Sequence, residues 1–212
     1  MKRFFLLTLL AIMAFSSAHA QWDTAGMRMS HLRVAPLATG ASLIGVGSVF
    51  AFSPTVHELA VKLRDEVRYY DLPKLHFDDY VQYIPVVAPV TLKLCGMKSR
   101  HSLSRMMMLK KNNYLLKTKW LNFGKHAFEV LRPDNSAHNS FPSGHTFTAF
   151  TGAELLRREY GEEYPLVAIA GYTVATIVAL MRIYNNRHWA GDVLAGAGLG
   201  IMSVTLTYWF LD

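Results

Sequence analysis

Long hydrophobic runs dominate this chain, and most of them carry no charge. Residues 34–52 hold no charged side chain, although Pro36, Gly40, Gly45 and Gly47 interrupt the run and Ser53-Pro54 closes it. Over residues 55–68, Val56, Leu59, Leu63 and Val67 recur at helical spacing. His57, Glu58, Lys62, Arg64, Asp65 and Glu66 fill the other face, which is read as solvated. Residues 72–80 read as a loop containing Pro73 and Asp78-Asp79, and residues 81–97 are apolar but broken by Pro85 and Pro89. Residues 102–123 are amphipathic and basic, and 141–156 are mostly apolar up to Arg157-Arg158. Residues 166–181 and 193–211 are again uncharged. The pattern predicts an all-α bundle of about six helices forming one domain over residues 21–212, with no internal repeat and no linker.

The first residues follow a different logic. Lys2 and Arg3 precede an uncharged run at 4–15, and Ser16-Ser17 then leads to Ala18-His19-Ala20 before Gln21. A positive start, a short apolar stretch and an A-x-A site predict a secretory signal peptide over residues 1–20, with an uncleaved anchor as the alternative. The run is shorter than the roughly 20 residues that a membrane-spanning helix needs. Several later runs approach that length. Buried helices of a soluble bundle have the same length, and a helix satisfies its own backbone in either medium. Tyr208-Trp209 resembles an interfacial anchor, and the membrane-embedded reading is preferred.

Composition sharpens this picture. Hydrophobic residues make up 51% of the chain and charged ones 17%, so the apolar excess must enter a core or lipid. The net charge of +7 is unevenly spread, with ten Lys and Arg between Lys93 and Arg132 against the single acid Glu129. Such a field attracts phosphates. Most of these cations are read as a solvated basic face, Lys125 and Arg132 excepted. No nucleic-acid-binding motif accompanies them, so no nucleic-acid partner is expected. Cys95 stands alone in an apolar run and is expected to be a buried, inert thiol.

Three short stretches carry candidate chemistry. They are Lys125 with Arg132-Pro133, then Phe141-Pro142-Ser143-Gly144-His145, then Arg182, His188 and Asp192. Lys125, Arg132 and Arg182 lie at or near predicted helix ends. Brought to one point, they would hold a dianion and the charge that spreads over its oxygens during transfer. Ser143 and Gly144 fall where a helix begins, after Pro142, and the free N–H groups of such an end bind anions. His188 and Asp192 are four apart, so on a helix they share a face. Asp192 can then accept from one ring nitrogen and leave the other free to attack phosphorus. His145 can protonate the departing oxygen.

The order and joint occurrence of these stretches resemble the three-part signature of the type 2 phosphatidic acid phosphatase superfamily. That superfamily also contains vanadium haloperoxidases and bacterial acid phosphatases. The resemblance covers about residues 76–211, with the signature at 125–192. It implies a helical bundle and a phosphohistidine mechanism that needs no metal or other cofactor. His188 would be the nucleophile, Asp192 its orienting carboxylate and His145 the general acid. Lys125, Arg132, Ser143, Gly144 and Arg182 would bind phosphate. Asp79-Tyr80, Asn185-Asn186-Arg187 and Trp189 also look like the bacterial membrane-associated branch. The chain departs from the family in having Met181 where Ser is usual, and the stretch from Pro133 to Pro142 is short.

Other features are assigned structural roles. His138 is read as loop filler, His101 and His126 as without special function, and Asp78-Asp79 as a helix cap or loop contact rather than a metal site. Gly196 and Gly200 are read as a small-residue face for close helix packing. The expected substrate is a phosphorylated lipid, with no obligate protein partner. The expected place is a bacterial inner membrane with a periplasmic active site, residues 102–123 lying at the interface or packed in the bundle, and Arg157-Arg158 facing the cytoplasm. A soluble periplasmic acid phosphatase and a non-enzymatic membrane protein of the same descent are the alternatives.

Overall fold

The computed structural model describes residues 34–68, 73 and 75–211, all helical or loop. The expected signal peptide lies outside the described residues. The helices are α1 (Val34–Phe52), α2 (Pro54–Arg68), α3 (Asp78–Val81), α4 (Ile84–Leu94), α5 (Leu103–Phe128), α6 (Gly144–Tyr160), α7 (Pro165–Tyr184) and α8 (Ala190–Leu211). The all-α expectation holds, with eight helices among the described residues rather than about six. Part of the difference is α3, one turn folded from the stretch read as loop, with Asp78 and Asp79 in its first turn. Acids there complement the helix dipole. Pro85, near the start of α4, makes that helix a separate element.

Helix α6 is the axis of the bundle. Its residues from Gly152 to Tyr160 are buried on every side, although four of them are charged. The charges are paired internally. Glu154 accepts from Arg157 Nε and Nη2, both at 2.6 Å, from Arg158 Nε at 2.9 Å and from the Tyr172 hydroxyl at 2.7 Å. An unpaired charge in this position would be costly, which explains why both arginines turn inward. Both arginines are buried. His101, expected to do nothing special, places Nδ1 2.9 Å from Glu159 Oε1 and joins this polar end.

Small residues set the helix spacing. A Cβ on Gly47 would lie 2.6 Å from Gly191 O and from Ala195 N, so α1 and α8 touch through backbone. The predicted Gly196 and Gly200 face is real. Added Cβ atoms would meet Ser143 O at 2.6 Å and Phe147 O at 2.9 Å, which seats α8 directly against α6.

Helix α5 starts at Ser102, whose hydroxyl accepts from Arg105 N, and extends beyond the predicted 102–123 to Phe128. It runs antiparallel to α6 along the whole bundle. Met106 packs with Leu156 and Tyr160, Leu109 with Leu155, and Gly124 lies against Pro142. Asn113 Nδ2 donates to Ser203 Oγ on α8 at 3.2 Å, and Lys117 Nζ donates to Thr148 Oγ1 on α6 at 2.6 Å. The basic segment is therefore packed in the bundle, one of its two expected placements. One end of the bundle accordingly gathers the ends of α1, α5 and α7 with the starts of α2, α3, α6 and α8. Cys95 is exposed, not buried, because it caps the C-terminus of α4.

Candidate active site

The three sequence stretches meet at that end of the bundle. His188 follows α7 and is 2% exposed, with its backbone N–H donated to Arg182 O at 3.3 Å. Its Nδ1 lies 3.5 Å from Asp192 Oδ2 in the first turn of α8. Asp192 Oδ2 also accepts the Trp189 N–H at 2.8 Å and the Ser140 hydroxyl at 2.5 Å. The Ser140 oxygen is itself 3.4 Å from His188 Nδ1. Nδ1 is thus directed at the carboxylate, and Nε2 is the nitrogen left for chemistry. Burial lowers the His188 pKa, against the raising effect of Asp192, and Arg182 and Arg132 lower it further. These effects favour the neutral ring, the form that a nucleophilic role would need.

The cations converge around it. Lys125, on the last turn of α5, has its pKa lowered by burial and by Arg132 and Arg182. Arg132 is lowered by burial, by Arg182 and by Arg187, with Asp134 and Asp192 opposing. These mutual effects require the three predicted phosphate ligands to share one neighbourhood. Arg132 is also steered. Arg132 Nε donates to Asn139 Oδ1 at 2.8 Å across the turn that Arg132 N closes with Ala137 O. Trp189 Nε1 donates to Leu131 O at 2.8 Å, tying this loop to the His188 segment.

The start of α6 supplies backbone donors. Ser143 is the N-cap and Gly144 the first helical residue, so Pro142 stands just outside the helix rather than at its first position. The Ser143 N–H is occupied by Asp192 O at 3.0 Å, and its buried hydroxyl accepts from Thr146 Oγ1 at 3.0 Å. The anion-binding capacity therefore rests on the amides of Gly144 and the residues after it, which lack intrahelical acceptors. A Cβ on Gly144 would have its nearest neighbour, Leu121 Cδ1, at 3.7 Å. Protein packing does not demand glycine there, whereas a ligand approaching the backbone would.

His145 follows on α6. Burial and Arg182 press its pKa down to about 4, against the opposing pull of Asp79. Its Nε2 is 2.8 Å from Asp79 Oδ1. Arg182 Nη1 donates to that same oxygen at 3.0 Å and to Asp78 Oδ2 at 2.6 Å, while Arg182 Nε is buried without a protein partner. Asp78 and Asp79 are therefore ion-pair partners of the site, not caps, since α3 has no side-chain cap. The sequence reading missed Ser140, Asn139 and the role of the two aspartates. An acidic pair at 78–79 in a chain poor in acids was the available signal. His138 is exposed and outside the cluster, as expected. Met181 is half-buried and accepts the Asn185 N–H through its carbonyl. Among the described residues no cluster of three His, Cys, Asp or Glu is arranged for a metal.

The sequence model of the PAP2 superfamily matches residues 89–212, which contain every one of the convergent motifs. The chain belongs to the PAP2 superfamily. A lipid A 1-phosphatase of Porphyromonas gingivalis is 42% identical over 150 residues, covering 69% of this chain and 34% of that protein. The chain therefore matches about a third of the length of that relative. Two solved structures share the PAP2 fold. A transmembrane PAP2 type phosphatidylglycerolphosphate phosphatase from Bacillus subtilis superposes with a TM-score of 0.61 at 20% identity, covering 82% of this chain and 95% of that one. LpxE of Aquifex aeolicus gives 0.55 at 22% identity, covering 70% and 94%. In keeping with this PAP2 fold, α1, α7 and α8 are each long and apolar enough to cross a membrane.

Proposed function

We propose that this chain is a lipid phosphatase that needs no metal and works through a phosphohistidine. The observation that carries the reading is a buried His188, backed by Asp192, among Lys125, Arg132 and Arg182. In the first step His188 Nε2 forms a bond to phosphorus as the bond to the leaving oxygen breaks, and His145 delivers a proton to that oxygen. In the second step water attacks the phosphohistidine, His145 takes its proton, and phosphate leaves. The cations and the α6 amides offset the charge on the equatorial oxygens in both steps.

A lipid substrate is supported by the surroundings of the site. The rings of Phe52, Phe128 and Phe141 meet at centroid distances of 5.0 to 5.5 Å beside the start of α6. Phe52 and Phe128 remain 45% exposed. An apolar wall next to a phosphate pocket suits a headgroup still attached to its chains. The named relative makes a lipid A phosphate the first candidate.

The proposed orientation puts the site on the periplasmic face of the inner membrane. Because α5 runs the full bundle, the start of α1 and the site lie at opposite ends. An exported start at residue 34 and an outward-facing site therefore exclude each other, and the proposal keeps the outward site. The far end then carries Lys98, Arg100, Arg105, Arg157 and Arg158 on the cytoplasmic side, as the excess of basic residues there prefers.

The test is phosphate release by purified, detergent-solubilised protein from lipid A, undecaprenyl diphosphate, phospholipid phosphates and an aryl phosphate, beside His188→Ala. Release from a lipid phosphate that disappears in the variant is expected. Equal release by the variant would sink the nucleophile assignment, and labelling of an engineered cysteine at Asn135 only from the cytoplasm would sink the orientation.

A further inference from the structure

The two aspartates of α3 are treated differently by the fold. Asp78 is fully buried and held by Arg182 Nη1 at 2.6 Å and Asn185 Nδ2 at 2.9 Å. Asn185 in turn brackets Leu75, donating to its carbonyl at 2.6 Å and accepting its N–H at 3.0 Å. Asp78 thus anchors the chain entering α3 to the end of α7. Asp79 has no such structural duty. Its side chain is 44% exposed, yet its Oδ1 is drawn to His145 Nε2 at 2.8 Å and to Arg182 Nη1 at 3.0 Å. One carboxylate oxygen joins the proposed general acid to a proposed phosphate ligand.

We infer that Asp79 is a positioning residue for the proton-transfer step, acting through His145 and, by the same oxygen, aligning Arg182. This rests on the phosphatase reading. With Nε2–H donated to Asp79, Nδ1 is the ring nitrogen left to carry the proton to the leaving oxygen. The pair repeats the logic of His188 and Asp192, where a carboxylate fixes one nitrogen and frees the other. It differs in purpose. His188 must be neutral to attack, whereas His145 must be protonated when the P–O bond breaks, so its carboxylate must favour the imidazolium. The groups facing His145 otherwise oppose that charge. They are Arg182 from α7 and His188 from the following loop, with Lys125 and Arg132 around the same pocket. His76 lies 4.0 Å from the other oxygen of Asp79. Among the described residues, Asp79 is the acid that meets the ring among these cations. The arrangement also leaves Arg182 Nε unpaired, so Asp79 and Asp78 hold one nitrogen of the guanidinium and leave another for phosphate.

The experiment compares wild type, Asp79→Asn, Asp79→Glu and Asp78→Asn on an alkyl phosphate monoester and on an aryl phosphate whose leaving group needs no proton. Asp79→Asn keeps the shape and removes the charge. Its kcat on the alkyl ester is expected to fall about 100-fold, the low end of what a general acid supplies, and on the aryl ester only a few-fold. Asp79→Glu should restore part of the alkyl activity, while Asp78→Asn should lose both activities together. Independently of turnover, the His145 signal in protein with isotopically labelled histidine, assigned with His145→Gln, should titrate at lower pH in Asp79→Asn. Equal loss on both esters, or an unmoved His145 midpoint, overturns the inference. Wild-type protein silent on every phosphate would instead overturn the phosphatase reading, with the titration still deciding the role of Asp79.

Discussion

Ser140 gives its hydroxyl proton to Asp192 at 2.5 Å, across 52 residues of sequence. Both side chains are buried, and the serine oxygen also approaches His188 Nδ1. Asp192 Oδ2 is thereby fixed by Ser140 and by the Trp189 N–H, so the carboxylate meets the histidine in one orientation. Hydrogen bonds to charged groups contribute about 1.5–3 kcal/mol. Ser140→Ala is therefore expected to lower kcat roughly tenfold or more, with KM little changed, since Ser140 holds the carboxylate partner of the proposed nucleophile. Steady-state kinetics on one lipid phosphate checks this, and a change confined to KM would contradict it.

The two histidines set the pH behaviour. Both have folded pKa values below the ordinary 6.5, with His145 at about 4. Between those values the unfolded chain binds more protons than the folded one, so folding stability is complete above about 6.5 and is lost as pH falls toward 4. Thermal melts in detergent from pH 7.5 to 4 should fall over that window, and His145→Gln should flatten part of the decline. A bound phosphate analogue should move the window to lower pH if it holds the fold together, which the same melts would show.

Glycine packing gives a stability test with an internal control. Ala at Gly196 would drive its Cβ to 2.6 Å from the Ser143 carbonyl, a backbone atom at the mouth of the site. Overpacking of that kind costs typically 1–3 kcal/mol. Gly196→Ala should lower the melting temperature and, by displacing Ser143 and Gly144, also lower activity. Gly45, with nothing within 4 Å of an added Cβ, should accept Ala without loss of stability. Equal melting temperatures for the two variants would refute the packing account.

Chelation should leave catalysis intact. In the proposed mechanism Lys125, Arg132 and Arg182 meet the charge on the phosphate, and a divalent cation placed among them would be repelled. Activity measured after dialysis against EDTA is expected to equal that of untreated protein, and recovery on adding a specific divalent ion would count against the mechanism.

Arg182 supplies a last prediction. It pairs with Asp78 and Asp79 through one nitrogen, and its Nε has no partner among the described residues, which leaves it for the proposed substrate contact. Lysine offers a point charge and cannot do both. Arg182→Lys should therefore reduce kcat/KM on the order of 100-fold, about two charge-assisted hydrogen bonds. Retention of full kcat/KM would show that the fork is not used.

Features that depend on neighbours along the chain were legible in the residues alone. Helical periodicity and uncharged runs indicated an all-α bundle, while His188 meets Asp192 from the loop before α8 rather than from a shared helix face. The order of the three motifs indicated the family before any coordinates. Other features depended on which helix lies beside which. The pairing of Asp79 with His145 spans 66 residues and that of Ser140 with Asp192 spans 52, so no local pattern announces either. The inward turn of Arg157 and Arg158 required knowing that α6 is surrounded, because a buried arginine must find a carboxylate while an exposed one need not. The course of α5 required its contacts with α6 and α8, since an amphipathic basic segment has the same sequence signature on a membrane surface as in a bundle. Local spacing fixes which face a side chain occupies, and only the tertiary packing decides what stands opposite it.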